Sequence, residues 1–173
     1  SFYSEDLERY NPLPSFNIAP THFHPILTNV DRRHFQYHSW GLVPNWAKEK
    51  HLSSKMINAR IESLIEKVSY KPLIGKQHCL IPFDGYYEWK KEGKKKIPYR
   101  IRRHDNSVFS MAGLWEYCLL PNREKWRSFT IITCPAIPEL SHLHERMPLI
   151  LPEALERGWI EQDFSPKQAI EFL

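Results

Sequence analysis

The sequence predicts an α+β protein, a single domain over residues 1–173, built on a mainly antiparallel, barrel-like β-sheet with short helices. A length of 173 residues fits one domain. Strand-like segments separated by polar turns fill most of the chain, and helix-like segments lie mainly towards its two ends. Fourteen prolines and only six glycines are typical of a compact fold with short, stiff connections.

The first part of the chain alternates between the two kinds of element. Ser4 is a suitable N-cap for a short helix, and the polar residues 31–33 are suited to a turn between two strands. Ile61, Leu64 and Ile65 recur at helical spacing. The predicted elements of this part are a helix at 4–10, strands at 25–30 and 34–40, and a helix at 60–67.

The remainder is predicted to be mainly β-structure. Gly93 lies in a polar hairpin turn between two strands, and Pro152 and Pro166 each suit the first position of a short helix. The predicted elements here are strands at 77–83, 86–91, 98–103, 108–120, 126–133 and 148–151, a helical turn at 138–144, and two C-terminal helices.

The charge and the aromatic content of the chain bear on the kind of partner it binds. A net charge of +4 permits a polyanionic partner without requiring one, since a solvated surface gives the same value. Six Trp, eight Tyr and nine Phe are more rings than a core alone needs, which indicates a surface that binds rings or bases.

The cysteines and the hydropathy pattern indicate the cellular compartment in which the protein is expected. Cys79, Cys118 and Cys134 are widely spaced in apolar runs, so a disulfide framework is not expected and a reducing compartment fits best. No segment approaches the roughly 18 continuous apolar residues of a membrane span, and no signal peptide is visible. We therefore expect a soluble, intracellular protein.

Glu88 is the first candidate for chemistry. On an alternating strand it shares a face with Tyr86, while Tyr87 and Trp89 share the other. If the first face points inward, Glu88 is a carboxylate among aromatic rings and is suited to proton transfer. The alternative is a solvent-exposed hairpin carboxylate that pairs with a lysine.

Asn58 and Arg60 form the second candidate group. In an extended segment both side chains point the same way, so that an amide and a planar guanidinium suited to phosphate lie side by side. The alternatives are a helix cap for Asn58 and a surface ion pair for Arg60.

His144 is the third candidate, because it precedes an arginine and a proline-restricted turn and is suited to act as a general acid or base. The alternatives are a surface or core histidine, a metal site and a Cys–His hydrolase with Cys134. The spacing of His142 and His144, repeated at His22 and His24, permits a shared metal, but no cysteine completes a familiar ligand set. No metal and no cofactor are therefore expected.

Four loop or strand-end residues are candidates for contact with a ligand: Asn17, Pro20, Trp40 and Trp46. Exposed rings in rigid loops are able to stack on bases or to wedge between them. The alternative is that these loops pack on the sheet.

As an ordered set, these segments resemble the SOS response-associated peptidase (SRAP) family. The match covers nearly the whole chain and keeps the order of the motifs. The matching segments are Ser15-Phe16-Asn17-Ile18-Ala19-Pro20, residues 40–46, Ile57-Asn58-Ala59-Arg60-Ile61-Glu62, residues 79–89 with Asp84-Gly85-Tyr86-Tyr87-Glu88-Trp89, residues 111–115, residues 130–133 and His144-Glu145-Arg146-Met147-Pro148 with residues 149–151.

The resemblance implies an SRAP fold and a monomeric sensor of abasic sites in single-stranded DNA, with no membrane partner. It implies a covalent thiazolidine formed by an N-terminal cysteine, with autoproteolytic release of that terminus and lyase-like activity. The implied location is cytoplasmic, on the nucleoid when damaged DNA is bound. A non-catalytic module that binds single-stranded DNA is the alternative.

By motif position the resemblance also implies residue roles. Asn58 stabilises the linked ring, Glu88 orients the amine and shuttles protons, and His144 assists proton transfer on the sugar. The residues implied in DNA binding are Arg60 and Arg146 on the flanking phosphates, Trp46 as a wedge against a base, and Asn17 and Pro20 along the site.

The chain departs from the family pattern at two points. It begins Ser1-Phe2-Tyr3, whereas the family begins Met-Cys-Gly-Arg. Residues missing ahead of Ser1 explain this better than a processed or inactive member does, because the acid/base partners are retained. The chain as printed is expected to lack thiazolidine chemistry. Glu145 stands where the family usually has Asp and keeps the charge.

Overall fold

The computed structural model of this chain describes residues 15–173, apart from the side chains of His51 and Leu52. The helix predicted at 4–10 lies outside this range. The strands are β1 Phe23–Thr28, β2 Asp31–Trp40, β3 Asn58–Arg60, β4 His78–Phe83, β5 Tyr86–Glu92, β6 Lys95–Ile101, β7 Phe109–Leu119, β8 Lys125–Pro135, β9 Arg146–Pro148 and β10 Ile150–Leu151. The α-helices are α1 Pro138–Ser141, α2 Glu153–Glu161 and α3 Pro166–Phe172.

Five strands form a closed barrel in the order β7, β4, β1, β2 and β8, because β8 also pairs with β7. The β2–β8 pairing is parallel, and the other pairings of the barrel are antiparallel. Strands β3 and β9 extend the sheet from β8, and β10 extends it from β7. Strands β5 and β6 form a separate hairpin. The predicted α+β fold on a mainly antiparallel, barrel-like sheet is confirmed.

Closure of the barrel depends on a close approach at Gly113 in β7. A Cβ atom added there would lie 2.7 Å from the carbonyl oxygen of Thr130 in β8 and 2.5 Å from a methyl group of Ile81 in β4. Neither neighbour has room to move, since Ile81 and Thr130 are fully buried. The absence of a side chain therefore lets three strands meet at one point.

Helix α2 is attached to the barrel by an aromatic stack between Trp159 and His78, whose ring centroids lie 3.8 Å apart. The indole N–H donates to the carbonyl oxygen of Cys79 (3.1 Å), and His78 Nδ1 donates to that of Trp159 (3.0 Å). His78 Nε2 accepts from the N–H of Gly75 (2.8 Å). Because both ring nitrogens are used in this way, the buried imidazole is held neutral.

Two predicted elements differ from the structure. The β1–β2 turn lies at residues 29–30 and not at 31–33, because Asp31 begins β2 and its carboxylate accepts from the N–H groups of Arg33 and His34. The helix predicted at 60–67 was wrong. Its place is taken by the end of β3, a 3-10 turn at Ile61–Ser63 and further turns that bury Leu64.

Within residues 15–173, no helix has the length and apolar character that a membrane crossing requires.

We predict that the protein loses stability in mild acid because of His78. Burial lowers the pKa of His78 from 6.5 to about 4, and the carbonyl of Trp159 offsets only part of this. The unfolded chain is therefore protonated first, so stability is complete above pH 6.5 and falls as the pH decreases towards 4. At pH 5 the loss from His78 is on the order of 2 kcal/mol.

Urea unfolding at a series of pH values measures this loss. His78→Gln is expected to have a shallower pH dependence than the wild type, and His104→Gln, which removes an exposed imidazole, serves as the control. The remaining slope is assigned to His24 and His38, since burial lowers the pKa of each to about 4. An unchanged slope in His78→Gln contradicts the assignment.

Candidate functional site

A cavity of about 840 Å³ opens at one side of the barrel and is the candidate site. Its wall is formed by the loop of residues 15–20, the β4–β5 connection at 82–89 and the segment at 146–148 together with His144. Seven of the nine candidate residues predicted from the sequence line it: Asn17, Pro20, Trp40, Asn58, Glu88, His144 and Arg146. The sequence therefore identified the three distant segments that meet at this place.

Asn58 reaches the cavity because β3 is extended and pairs in parallel with β8, where Asn58 lies opposite Ile131. The neighbouring backbone is fixed on both sides, since the carbonyl oxygen of Ile57 accepts from Ile131 N–H (3.1 Å) and from Trp40 Nε1 (2.9 Å). Ala59 is fully buried, so Asn58 and Arg60 point to the outer face, as predicted for an extended segment.

Glu88 lies on β5 with the alternation that the sequence predicted. Tyr86 and Glu88 are half-buried, whereas Tyr87 and Trp89 are 43% and 50% exposed. One carboxylate oxygen of Glu88 accepts from the N–H of Trp89 (3.1 Å). Burial, with the negative charge of Glu88 as the next cause, raises the pKa of Tyr86 to about 12, so the phenol remains a donor at neutral pH.

His144 follows α1 and is exposed at the cavity. Its Nδ1 accepts from the N–H of Arg146 at 3.0 Å. A second contact, from Nδ1 to the carbonyl oxygen of Arg146, is longer at 3.3 Å and requires a proton on the same nitrogen. The shorter contact decides the tautomer, so the neutral ring carries its proton on Nε2.

Arg146 is engaged by Glu62, a residue that the sequence did not single out for a role. Nη1 and Nη2 donate to the two carboxylate oxygens of Glu62 at 2.6 and 3.0 Å. Nη2 also donates to the carbonyl oxygen of Thr133 (2.7 Å). The hydrogen bonds from Arg146 hold the pKa of Glu62 below its usual value. The guanidinium is therefore oriented by the protein, and a phosphate would compete with Glu62 for it.

Arg60 and Trp46 do not line the cavity. Arg60 ends β3, and its positive charge contributes to lowering the pKa of Glu62, so it lies close to the Glu62–Arg146 pair. Two guanidinium groups around one carboxylate leave this edge of the cavity positive. Trp46 is 57% exposed in the loop that follows β2, so its ring is open to solvent there.

The loop that carries Asn17 and Pro20 is tied to the barrel beside the cavity. Thr21 N–H donates to the carbonyl oxygen of Trp40 (2.7 Å), and His22 N–H donates to that of Ala19 (3.0 Å). His22 Nδ1 in turn accepts from Ala19 N–H (3.3 Å). Asn17 and Pro20 therefore lie on a short, braced segment at the rim.

Sequence reasoning missed a wall formed by His24 and Phe83. Their rings stack with centroids 4.5 Å apart and planes at 8°. His24 Nε2 lies 2.8 Å from the carbonyl oxygen of Pro82, and burial lowers the pKa of His24 to about 4. At neutral pH this ring is an uncharged surface. The aromatic content of the chain was the only signal for such a wall.

The metal and thiol alternatives find no support in the described part of the chain. No group of three or more His, Cys, Asp or Glu residues within 15–173 is placed to hold a metal ion. Cys79, Cys118 and Cys134 are free thiols, and burial raises the pKa of each. Cys134 does not line the cavity beside His144, so the structure does not assemble a Cys–His nucleophile from them.

Comparison with known proteins gives consistent matches. Residues 2–173 match the family described as SOS response associated peptidase (SRAP). The chain is 40% identical over 150 residues to the abasic site processing protein YoqW of Bacillus subtilis, covering 85% of this chain and 66% of YoqW. It is 34% identical over 174 residues to the abasic site processing protein YedK of Escherichia coli, covering 97% of this chain and 76% of YedK.

Solved structures match as well. A crystal structure of a Bacteroides thetaiotaomicron protein superposes with a TM-score of 0.80 at 32% identity, covering 88% of this chain and 68% of that one. A Bordetella bronchiseptica protein gives a TM-score of 0.78 at 26% identity, covering 90% and 83%.

We predict that Glu62→Gln destabilises the protein by about 1 kcal/mol, because it leaves the largely buried guanidinium of Arg146 without its charged partner while Glu62 itself is half-exposed. Urea unfolding at neutral pH measures the change. Glu66→Gln alters an exposed glutamate of the same segment and is the control. The pKa of Glu62 is lowered in the folded state, so the carboxylate loses its charge there only in acid. The difference in unfolding free energy between Glu62→Gln and the wild type should therefore disappear as the pH falls below the folded-state pKa of Glu62. A difference that persists in acid contradicts the ion-pair account.

Proposed function

This chain belongs to the SOS response associated peptidase family, and from that premise we propose that it processes abasic sites in single-stranded DNA. The observation that carries the proposal is the convergence of Asn58, Glu88 and His144, from three distant segments, on one cavity. The choice of lesion is supported by the names of its relatives, which are abasic site processing proteins. An abasic site exposes an aldehyde and offers no base to read, which suits a cavity with proton donors and acceptors and a ring-lined wall.

The reaction we propose is the closure of a thiazolidine on the deoxyribose. The α-amine of an N-terminal cysteine, supplied by residues ahead of Ser1, adds to the C1′ aldehyde carbon. Loss of water leaves an imine, and the cysteine thiolate then adds to the imine carbon while the nitrogen takes up a proton. The addition step needs a neutral amine, and each step needs a group that moves protons. Removal of an initiator methionine by the same site would account for the peptidase in the family name.

Two cavity residues carry these proton movements, and a third donates a hydrogen bond. Glu88 takes the proton from the attacking amine and returns it to the leaving water, because it lines the cavity and only one of its two carboxylate oxygens, which accepts from Trp89 N–H, has a hydrogen-bond partner in the described range. His144 donates from Nε2 to the sugar oxygen as the closed sugar opens, since its Nδ1 is occupied by Arg146 N–H. Asn58 donates from its carboxamide to the linked ring.

The flanking strand is held by cations and rings. Arg146 lines the cavity and Arg60 lies close to the Glu62–Arg146 pair beside it; both are proposed to contact phosphates, with Glu62 giving way at Arg146. Trp46, with its exposed ring, is proposed as a wedge against a neighbouring base, and Asn17 and Pro20 line the rim. We propose that the protein works as a monomer inside the cell, where such lesions arise.

We predict that Glu88→Gln slows crosslinking by about 100-fold or more, because the carboxamide of glutamine cannot accept the proton of the attacking amine. The measurement uses a chain that carries the family start Met-Cys-Gly-Arg ahead of Ser1, incubated with an abasic oligonucleotide and resolved on a denaturing gel. Affinity for an unreactive tetrahydrofuran analogue is expected to stay unchanged. Glu92→Gln, four residues along the same strand, is the matched control.

The outcomes separate the alternatives. Wild-type crosslinking by Glu88→Gln removes Glu88 from proton transfer. If a protein whose intact mass confirms an N-terminal cysteine binds the analogue but forms no crosslink, the chain is a binding module and not an enzyme. If it neither binds nor crosslinks, the proposed function is wrong.

A further inference from the structure

The β5–β6 hairpin contributes Glu88 to the reaction, but most of its residues have no part in it. It pairs with no strand of the barrel, and its register runs from Tyr86 opposite Ile101 to Glu92 opposite Lys95. A two-stranded hairpin gains little stability alone, so a long hairpin outside the barrel calls for an explanation other than the core. Its first residues line the cavity, and the rest extends away from it.

The register separates the hairpin into two different faces. Residues directly opposite each other share a face, so Tyr86 and Glu88 lie on the same face as Tyr99 and Ile101. The opposite face, here called the outer face, consists of exposed residues and contains no acidic residue. It consists of Tyr87, Trp89, Lys91, Lys96, Pro98 and Arg100.

The hairpin contains a large excess of positively charged residues. Residues 86–101 contain six lysines and arginines and two glutamates, a net charge of +4, which equals the net charge of all 173 residues. Lys90 pairs with Glu92 (2.9 Å) and Arg100 with Asp84 (2.8 Å). Lys91 and Lys96 form no ion pair with another residue of the described range.

Lys91 and Lys96 are directly opposite each other on the outer face. Like charges in this position destabilise a strand pair, so the fold does not account for them. A polyanion bound along the face would relieve the repulsion. The rings of Tyr87 and Trp89, on the same face and 43% and 50% exposed, supply flat surfaces beside these charges.

The outer face is continuous with the site. Tyr87, Trp89 and Arg100 belong both to this face and to the cavity wall. From Tyr87 to Lys91 the strand advances roughly 14 Å at about 3.4 Å per residue. A strand whose lesion occupies the cavity would therefore pass over the rings and then reach the two lysines.

We propose that the outer face binds the single-stranded nucleic acid on one side of the lesion, with bases on Tyr87 and Trp89 and phosphates on Lys91 and Lys96. This inference rests on the proposed function, because the lesion in the cavity fixes where the flanking strand begins. Rings interleaved with cations suit the stacked bases and phosphates of a single strand, and Lys91 and Lys96 are the cations of this face that form no ion pair with a described residue. The face extends the site in one direction only, so one flank of the lesion is favoured over the other.

The test measures binding of a tetrahydrofuran-containing DNA to the double variant Lys91→Glu with Lys96→Glu. Lys71→Glu with Lys76→Glu makes the same change of charge at exposed positions outside the cavity and is the control. Three single-stranded oligonucleotides are compared: one has about four nucleotides around the lesion, and each of the other two is extended on one side only, to about sixteen nucleotides. Both extended oligonucleotides are also measured with the flank annealed to a complementary strand. Thermal unfolding checks that both variants fold.

The double variant is expected to bind one extended oligonucleotide about tenfold or more weakly than the control, with a salt slope smaller by about 1.4. It should bind the short oligonucleotide and the other extended one as the control does. Trp89→Ala should weaken binding of the same extended oligonucleotide without changing the salt slope, because stacking of a base on a ring releases no counterions.

Three results would overturn the inference. Equal weakening of both extended oligonucleotides indicates general attraction of charge and no oriented path. If the double variant binds all the oligonucleotides as tightly as the control does, the hairpin is not part of the DNA-binding surface, and the proposed function stands. A loss that appears only when the flank is double-stranded reassigns the face to duplex DNA. Failure of the wild type to bind any lesion-containing oligonucleotide is a different result, since it rejects the proposed function itself.

Discussion

The pairing of strand β8 with four other strands is the constraint on which the site depends. β8 lies parallel to β2 and β3 and antiparallel to β7 and β9. The pairing with β7 closes the barrel, the pairing with β3 brings Asn58 to the cavity, and the pairing with β9 brings Arg146 beside it. Gly113 permits this closure, because any side chain there would collide with the backbone of β8. Positions separated by about ninety residues in sequence thus become neighbours through one strand.

The electrostatics of the cavity separates groups that hold the structure from groups that are available for chemistry. Arg146 is fixed by Glu62 and by Thr133, and His24 is kept neutral by burial against Phe83. The carboxamide of Asn58 and Nε2 of His144 have no hydrogen-bond partner among residues 15–173. Atoms without partners at a cavity are those that a substrate is able to engage, which is why we propose that His144 and Glu88 transfer protons and that Asn58 donates a hydrogen bond.

The sequence predicted what depends on short-range pattern. The two-residue alternation placed Tyr86 and Glu88 on one face, and the extended backbone at residues 58–60 placed Asn58 and Arg60 together. It failed where distant residues decide the outcome. The helix predicted at 60–67 is replaced by turns that bury Leu64 in the core, and the Glu62 carboxylate meets a guanidinium 84 residues away. The parallel pairing of β8 carries no local signal, and the two faces of the hairpin became visible only from its register.

We propose that the cavity holds the lesion and that the bound strand leaves along the hairpin. Chemical-shift mapping of the isotope-labelled chain, titrated with tetrahydrofuran-containing single-stranded DNA, distinguishes this path from any other. We expect shifts at Asn58, at Glu88 and at His144, together with Trp89 and Lys91 on the outer face, and none in helix α3. Shifts confined to α3 or to other surfaces away from the cavity would contradict it.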